Sequence, residues 1–191
     1  MSGFVLASTS PRRLALLASI GLTPDRVVAP EVDESALPKE KPRAVAQRLA
    51  LAKARAGAAL APGALVLAAD TVVSVGTRVL PKTQGDPEEA RACLALLSGR
   101  THHVTTAVAV LGADGQARQR AVPTRVSFKR LTGAEIDAYL ATEEWVGKAG
   151  GYGVQGAAGR FVISLSGSYT GIVGLPLYET AHLLASFGVR L

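Results

Sequence analysis

The sequence predicts an α/β domain in which short apolar strands alternate with capped helices. Three stretches carry that prediction. Phe4-Val5-Leu6-Ala7 reads as a buried strand that passes through Ser8-Thr9-Ser10-Pro11-Arg12-Arg13 into an apolar helix, Leu14 to Ile20, stopped by Gly21. Pro42 to about Leu60 is alanine-rich and reads as a long helix with Val45, Leu49 and Ala52 on its buried face. Leu65 to Ala69 is continuous and apolar, as a strand covered on both faces would be.

The bulk numbers bound the rest. A chain of 191 residues suggests one domain, 1–191, of two lobes without a linker. With 48% hydrophobic residues it can build a core without covalent staples. One cysteine, Cys93, excludes a disulfide framework and reads as helix packing. There is no signal-peptide pattern and no run long enough to span a membrane, so the expectation is a cytoplasmic protein with no membrane partner. The formal charge of +6 invites a nucleic-acid reading. Aromatics make up only 5%, and the basic residues are dispersed, so few rings are available for stacking bases in series. Binding of a small polyanion accounts for the charge equally well, and no stable nucleic-acid partner is expected.

Taken in order, the first helix start is the most informative. Ser10 suits the N-cap and Pro11 the first helical position. Arg12 and Arg13 oppose the helix dipole there unless an anion is bound. With Ser8 and Ser10 they make a phosphate cradle. The competing reading is a surface turn whose arginines reach solvent or a carboxylate. Arg26 to Ala29 reads as a second strand. The loop after Pro30 carries Glu31, Asp33 and Glu34, either solvated or facing the cradle to hold a divalent cation or a proton. Spacing does not distinguish Lys53 from the other charges of its helix. Asp70-Thr71 follows the central strand, which resumes as Val72 to Val75. An acid there is costly unless paired or metal-bound, which makes Asp70 the strongest candidate for a catalytic carboxylate. The plainer alternative is a strand-end Asp bonded to loop N–H groups.

A turn at Gly76-Thr77 and Val79-Leu80 lead to Pro81-Lys82. Asp86-Pro87 opens a helix to about Leu97, with Glu89 completing a capping box. His102 and His103 begin a strand running to Leu111. They face opposite ways and read as structural. Gly112 to Gly115 turns the chain into a partner strand, about Gln116 to Lys129, in which Pro123 signals an edge or a bulge. Thr132 and Glu135 form a second capping box, before Ile136, Tyr139 and Leu140. Five glycines lie between Gly147 and Gly156, in a loop that either brings backbone to a ligand or is merely flexible. Its spacing fits neither a Walker A loop nor a dinucleotide fingerprint. Phe161 to Leu165 reads as a strand, Gly167-Ser168-Tyr169 as a turn. A last helix opens at Gly174-Leu175-Pro176 and reaches about Ser186.

Seven of these stretches, in this order, resemble the Maf family of nucleoside triphosphate pyrophosphatases. They are S-T-S-P-R-R at 8–13, E-V-D-E at 31–34, R-L-A-x-x-K-A-R-A at 48–56, A-D-T-V-V at 69–73, L-S-G-R-T-H at 97–102, K-A-G-G-Y-G-V-Q-G at 148–156 and V-G-L-P-L at 173–177. The resemblance implies an elongated, two-lobed α/β fold, similar to the inosine triphosphate pyrophosphatases, with a central mixed sheet flanked by helices and a cleft between the lobes. It implies hydrolysis between the α- and β-phosphates. Ser8, Ser10, Arg12 and Arg13 would hold the triphosphate, and Lys53 and Lys82 the leaving pyrophosphate. Glu34, with Asp33 as a helper, would hold Mg²⁺ or Mn²⁺. Asp70 would be general base and a second candidate ligand. The loop at 148–156 resembles the branch acting on dTTP and UTP, in which positions matching Arg12, Thr71 and Gln155 bear on base selection. A Gln amide is donor and acceptor at once and suits a pyrimidine edge. The family also implies a homodimer and a role in clearing modified pyrimidine nucleotides. Pro81-Lys82-Thr83 departs from the usual Gly-Lys-Pro. The alternatives are the same chemistry on 7-methyl-GTP, or a non-catalytic nucleotide or nucleic-acid binder.

Overall fold

The computed structural model describes residues 3–35 and 37–190. The first strand, β1 (Val5–Ala7), leads into α1 (Pro11–Ala18), then β2 (Arg26–Val28) and the long helix α2 (Pro42–Leu60). Next come β3 (Val66–Val75), β4 (Arg78–Val79), β5 (Lys82–Thr83) and α3 (Pro87–Leu97). The hairpin β6 (Thr101–Leu111) and β7 (Ala117–Phe128) precedes α4 (Gly133–Leu140), β8 (Lys148–Ala149) and β9 (Val162–Ser166). Helices α5 (Tyr169–Val173) and α6 (Leu177–Ala185) follow.

The main sheet has the order β2-β1-β3-β6-β7-β9, with β4 on β3. β1 runs parallel to β2 and β3 and the other pairs are antiparallel, so the sheet is mixed. The alternation of side chains along β3 assigns its two faces. Val66, Ala68 and Val72 pack under Val45, Leu49, Ala50 and Ala54 of α2. Leu67 and Ala69 pack with Leu17 of α1 and Leu184 of α6. A third core, rich in aromatics, joins Leu94, Leu97, Tyr139, Trp145 and Phe161 to Val126 and Phe128 at the end of β7. This core carries the small sheet β5–β8. It sits at the far end of β3 and so creates a second wall facing α1 and α2.

Several local readings change. β3 is one uninterrupted strand, so Asp70 lies mid-strand and not at a strand end. Ser10 is at the N-cap of α1, but its side chain makes no cap bond. Asp86 caps α3 by accepting from the Glu88 N–H, without the reciprocal box through Glu89. The Thr132–Glu135 box is complete. Ala52 is half-buried, while Ala46, Ala50 and Ala54 line the buried face of α2. The expected turn at Gly167–Tyr169 leads at once into α5, capped by Ser168, and a 3-10 turn (Ala157–Phe161) delays the start of β9. Pro123 lies beyond the stretch of β7 that β9 pairs, so it stands at an open edge, and the bulge falls at Ser127/Phe128.

Candidate active site

The site exists because β3 outruns β1. β1 is in register only with Val66 and Leu67, whereas β3 continues to Val75. Past the end of β1, the open side of β3 faces a cleft of about 730 Å³. Ser8, Ser10, Arg12 and Arg13 line it from one side, and Lys82, Lys148 and Gln155 from the other. Asp70 and Thr71, as strand neighbours, point to opposite faces of the sheet, yet both reach the cleft across this uncovered edge.

Asp70 faces α2. Lys53 on that helix donates to Asp70 Oδ1 at 2.6 Å and lies 2.6 Å from Glu34 Oε1. One ammonium therefore bridges two carboxylates that are 36 residues apart in the chain. Lys82 stands 3.8 Å from the other oxygen of Glu34. Burial raises the Asp70 carboxyl above its ordinary value, more than Lys53 and Arg13 lower it. Burial also pushes Glu34 up, but Lys53, Lys82 and Arg13 together outweigh it and leave Glu34 below its ordinary value. The two acids are thus set apart, one more basic and one more readily ionised.

The loop carrying Glu34 is stapled to α2. Arg48 donates to both oxygens of Glu40, at 2.8 and 2.7 Å, and to the Ser35 carbonyl at 2.9 Å. Asp33 turns away and accepts from the Ser35 N–H in a local turn. It is exposed and does not line the cleft, which removes it as a helper to Glu34.

The α1 arginines do neither thing that a plain surface turn would have them do. Arg13 donates through Nε to the Gly174 carbonyl at 2.9 Å and through Nη1 to Ser8 Oγ at 2.9 Å. Arg12 Nε reaches the Val173 carbonyl at 3.4 Å. Both guanidiniums thereby sit at the carbonyl end of α5, where cations are favoured. Ser8 Oγ also accepts from the Ser10 N–H at 3.2 Å. Its lone pairs are taken, so its remaining proton is free to donate to an anion. The Ser10 N–H itself is engaged by Ser8 and not by a ligand. Among the described residues Arg12, Arg13 and Lys148 have no salt-bridge partner. Burial holds all three below their ordinary values, and for Arg13 and Lys148 the charge of Arg12 adds to it. An anion in the cleft would relieve that cost.

The far wall is the glycine loop. Gly150 has φ +66°, and a Cβ there would sit 2.8 Å from Val73 Cγ1. The loop is therefore packed on β3 and is not merely a flexible surface segment. Gly153 leaves room for the Gln155 amide, which would lie 3.1 Å from a Cβ at that position. Gln155 is exposed at the cleft rim. The Pro81-Lys82-Thr83 departure is absorbed in β5. Thr83 is buried and donates to the Trp145 carbonyl at 2.7 Å, and Pro81 accepts from the Gly150 N–H at 2.9 Å. His102 is buried with Nε2 2.8 Å from Tyr152 Oη, while His103 is exposed on the opposite face, as two structural histidines would be.

The structure thus gathers Ser8, Ser10, Arg12, Arg13, Glu34, Lys53, Asp70, Thr71, Lys82 and Gln155 around one cleft. It adds Lys148, to which the sequence pattern assigned no role. Its place in the glycine loop opposite the arginines was the available signal. Among the described residues no three His, Cys, Asp or Glu side chains gather as a metal-binding group. The two carboxylates that do converge already share a cation, Lys53. That donor set fits Mg²⁺ or Mn²⁺, which take one or two carboxylates and complete their shell with phosphate oxygens and water.

Comparison with known proteins agrees with this architecture. The chain is 59% identical over 186 residues to a dTTP/UTP pyrophosphatase of Caulobacter vibrioides, covering 97% of this chain and 96% of the relative. It is 56% identical over 191 residues to one of Sphingopyxis alaskensis, covering both chains completely. Among solved structures, a HAM1 protein from Coxiella burnetii superposes with a TM-score of 0.50 at 18% identity, over 79% of this chain and 86% of that one. That likeness concerns the fold alone. The Maf-like protein family model matches residues 3–187, which span every element that builds the cleft, and the chain belongs to that family.

Proposed function

We propose that the chain hydrolyses dTTP and UTP to the monophosphate and pyrophosphate. The observation that carries this is one cleft holding a buried carboxylate of raised basicity among five cations, three of them without a carboxylate partner. The high identity to dTTP/UTP pyrophosphatases over the full chain supports the substrate class. Ser8 donates its free proton to the triphosphate, and Ser10 lines the same end of the cleft. Arg12 and Arg13, anchored through their Nε atoms, present their remaining N–H groups to the phosphates. Lys53, Lys82 and Lys148 neutralise charge on the leaving pyrophosphate. Asp70 takes the proton of the attacking water, and its raised affinity for a proton suits it to that task. Thr71 and Gln155 face the base.

Glu34 and Asp70 are the residues that would hold Mg²⁺ or Mn²⁺, which would supply charge neutralisation at the phosphates. Lys53 also holds both carboxylates in position and keeps them ionised in a site of mixed charge. The resemblance further supports a homodimer acting in the cytoplasm, which sedimentation and cell fractionation test.

A pyrophosphate-release screen over dTTP, UTP, CTP and 7-methyl-GTP, with Mg²⁺ and with Mn²⁺, tests the proposal. Release concentrated on dTTP and UTP is expected. Turnover confined to 7-methyl-GTP would keep the chemistry and overturn the base assignment. Silence on all four would overturn both.

A further inference from the structure

We infer that Thr106 sets the base preference of the cleft by fixing the Thr71 hydroxyl as a pure hydrogen-bond acceptor. Such an acceptor selects a base edge that carries an N–H, as uracil and thymine do at N3, over one that carries a lone pair there, as cytosine does. The inference rests on the pyrimidine triphosphate reading above.

Counting protons leaves one arrangement. Thr106 Oγ1 lies 2.6 Å from the Gly171 carbonyl oxygen, which also accepts from the Gly174 N–H at 3.1 Å. A carbonyl has no proton, so Thr106 must supply the one in the short contact. A hydroxyl has only one to give. Thr71 Oγ1 lies 2.9 Å from Thr106 Oγ1. With the Thr106 proton committed, the proton in that contact is the one on Thr71. Thr71 is left with lone pairs alone for the cleft it lines.

Three features keep this relay from reversing. Thr106 is fully buried, so water does not compete for its hydroxyl. Turning its proton toward Thr71 would leave two oxygens 2.6 Å apart with no hydrogen between them. The Gly171 carbonyl is held in place by α5, whose C-terminal carbonyls are gripped by Arg12 and Arg13. Beside Thr71, Gly174 leaves space where a side chain would stand: a Cβ there would lie 3.8 Å from Thr71 Oγ1 and 3.7 Å from Arg13 Nε. The acceptor on Thr71 thus faces the space that Gly174 leaves open. An acceptor is complementary to the N3–H of an imide base and mismatched to the N3 lone pair of cytosine.

Thr106 touches no substrate and is a positioning residue, so its test is a ratio and not a rate. The measurement is kcat/KM for UTP, CTP and UTP methylated at N3, in wild type, Thr106→Val, Thr106→Ser and Thr71→Val. Wild type should favour UTP over both other substrates. Thr106→Val frees the Thr71 proton to meet the cytosine lone pair, so the UTP-to-CTP ratio should fall about tenfold. Thr106→Ser keeps the hydroxyl and should keep the ratio. A folded Thr106→Val protein that loses UTP and CTP turnover in step overturns the inference, as does wild-type turnover of N3-methylated UTP at the rate of UTP. Should Thr106→Val fail to fold, Thr106→Ala decides: a lowered ratio supports the relay, and an unchanged one, there or in Thr71→Val, overturns it. Wild-type silence on UTP would sink the functional reading and this inference together. An active enzyme with an unmoved ratio would sink this inference alone.

Discussion

Asp70 carries the heaviest chemical assignment, and its surroundings say how it should titrate. Burial raises its carboxyl above the ordinary 3.8, against the pull of Lys53. The acid limb of kcat/KM should therefore have a midpoint above that value. Asp70→Asn should abolish the limb and lower kcat by about 10²–10⁴-fold, with dTTP binding by calorimetry retained. Full turnover in that variant would remove Asp70 as the base. His102 makes a separate prediction. Burial, helped by His103, lowers its pKa from about 6.5 to about 4. Between those values the unfolded chain binds a proton that the folded chain does not, so stability falls as pH drops through this window. Each pH step of one inside the window costs about 1.4 kcal/mol. Acidification from about pH 7 to about pH 5 should therefore cost wild type about 2 kcal/mol more than it costs His102→Gln. Urea titrations at the two pH values measure the difference, and equal losses would reject it.

Among the elements, α2 matters most, because it ties together two parts of the site that lie far apart in the chain. Its Lys53 meets β3, and its Arg48 ties down the loop that carries Glu34. The Arg48–Glu40 pair is partly exposed and contributes only about 0–1 kcal/mol to stability. Its consequence is positional. Arg48→Met should leave the thermal midpoint nearly unchanged while lowering kcat/KM about tenfold, since a loosely held Glu34 no longer meets Lys53. Steady-state kinetics alongside thermal melting checks this, and wild-type kinetics would show that the loop needs no staple. The same element explains a limit of legibility. The helix is evident from its alanine-rich, periodic composition, yet Lys53 stands among Arg43, Arg48 and Arg55 with no spacing to mark it. Its distinction comes from where α2 rests on β3, which is a matter of packing.

Across the molecule, the cleft depends on two walls with separate cores meeting along β3. The glycine loop is the contact that sets their separation on one side. Gly150 combines φ +66° with a would-be Cβ 2.8 Å from Val73. Gly150→Ala should cost roughly 1–3 kcal/mol in unfolding free energy and raise KM for UTP, as the loop lifts from the strand. Adding Val73→Ala should recover part of the KM change by making room, and denaturant unfolding with kinetics on the single and double variants reads both effects. A neutral Gly150→Ala would mean that the loop yields freely and does not set the cleft width.

Local chemistry was legible without the fold. Pro11 after Ser10, Pro87 after Asp86 and the Thr132–Glu135 box mark helix starts because the signals of a helix N-terminus lie within four residues of one another. The run from Leu65 marks a central strand because its neighbours alternate into two cores. Asp70 stood out because an acid directly after such a buried run must be compensated. The seven motifs then named Glu34, Lys53 and Gln155 by resemblance, where spacing could not. What no local pattern carried is the convergence itself. Lys53 meets Asp70 across 17 residues, Arg13 meets Gly174 across 161, and Thr106 meets Gly171 across 65. Each contact depends on how far β3 runs past β1 and on where α2 and α5 rest against the sheet. Those are sums of many packing contacts, and they alone determine which lone pair or proton each side chain turns toward the cleft.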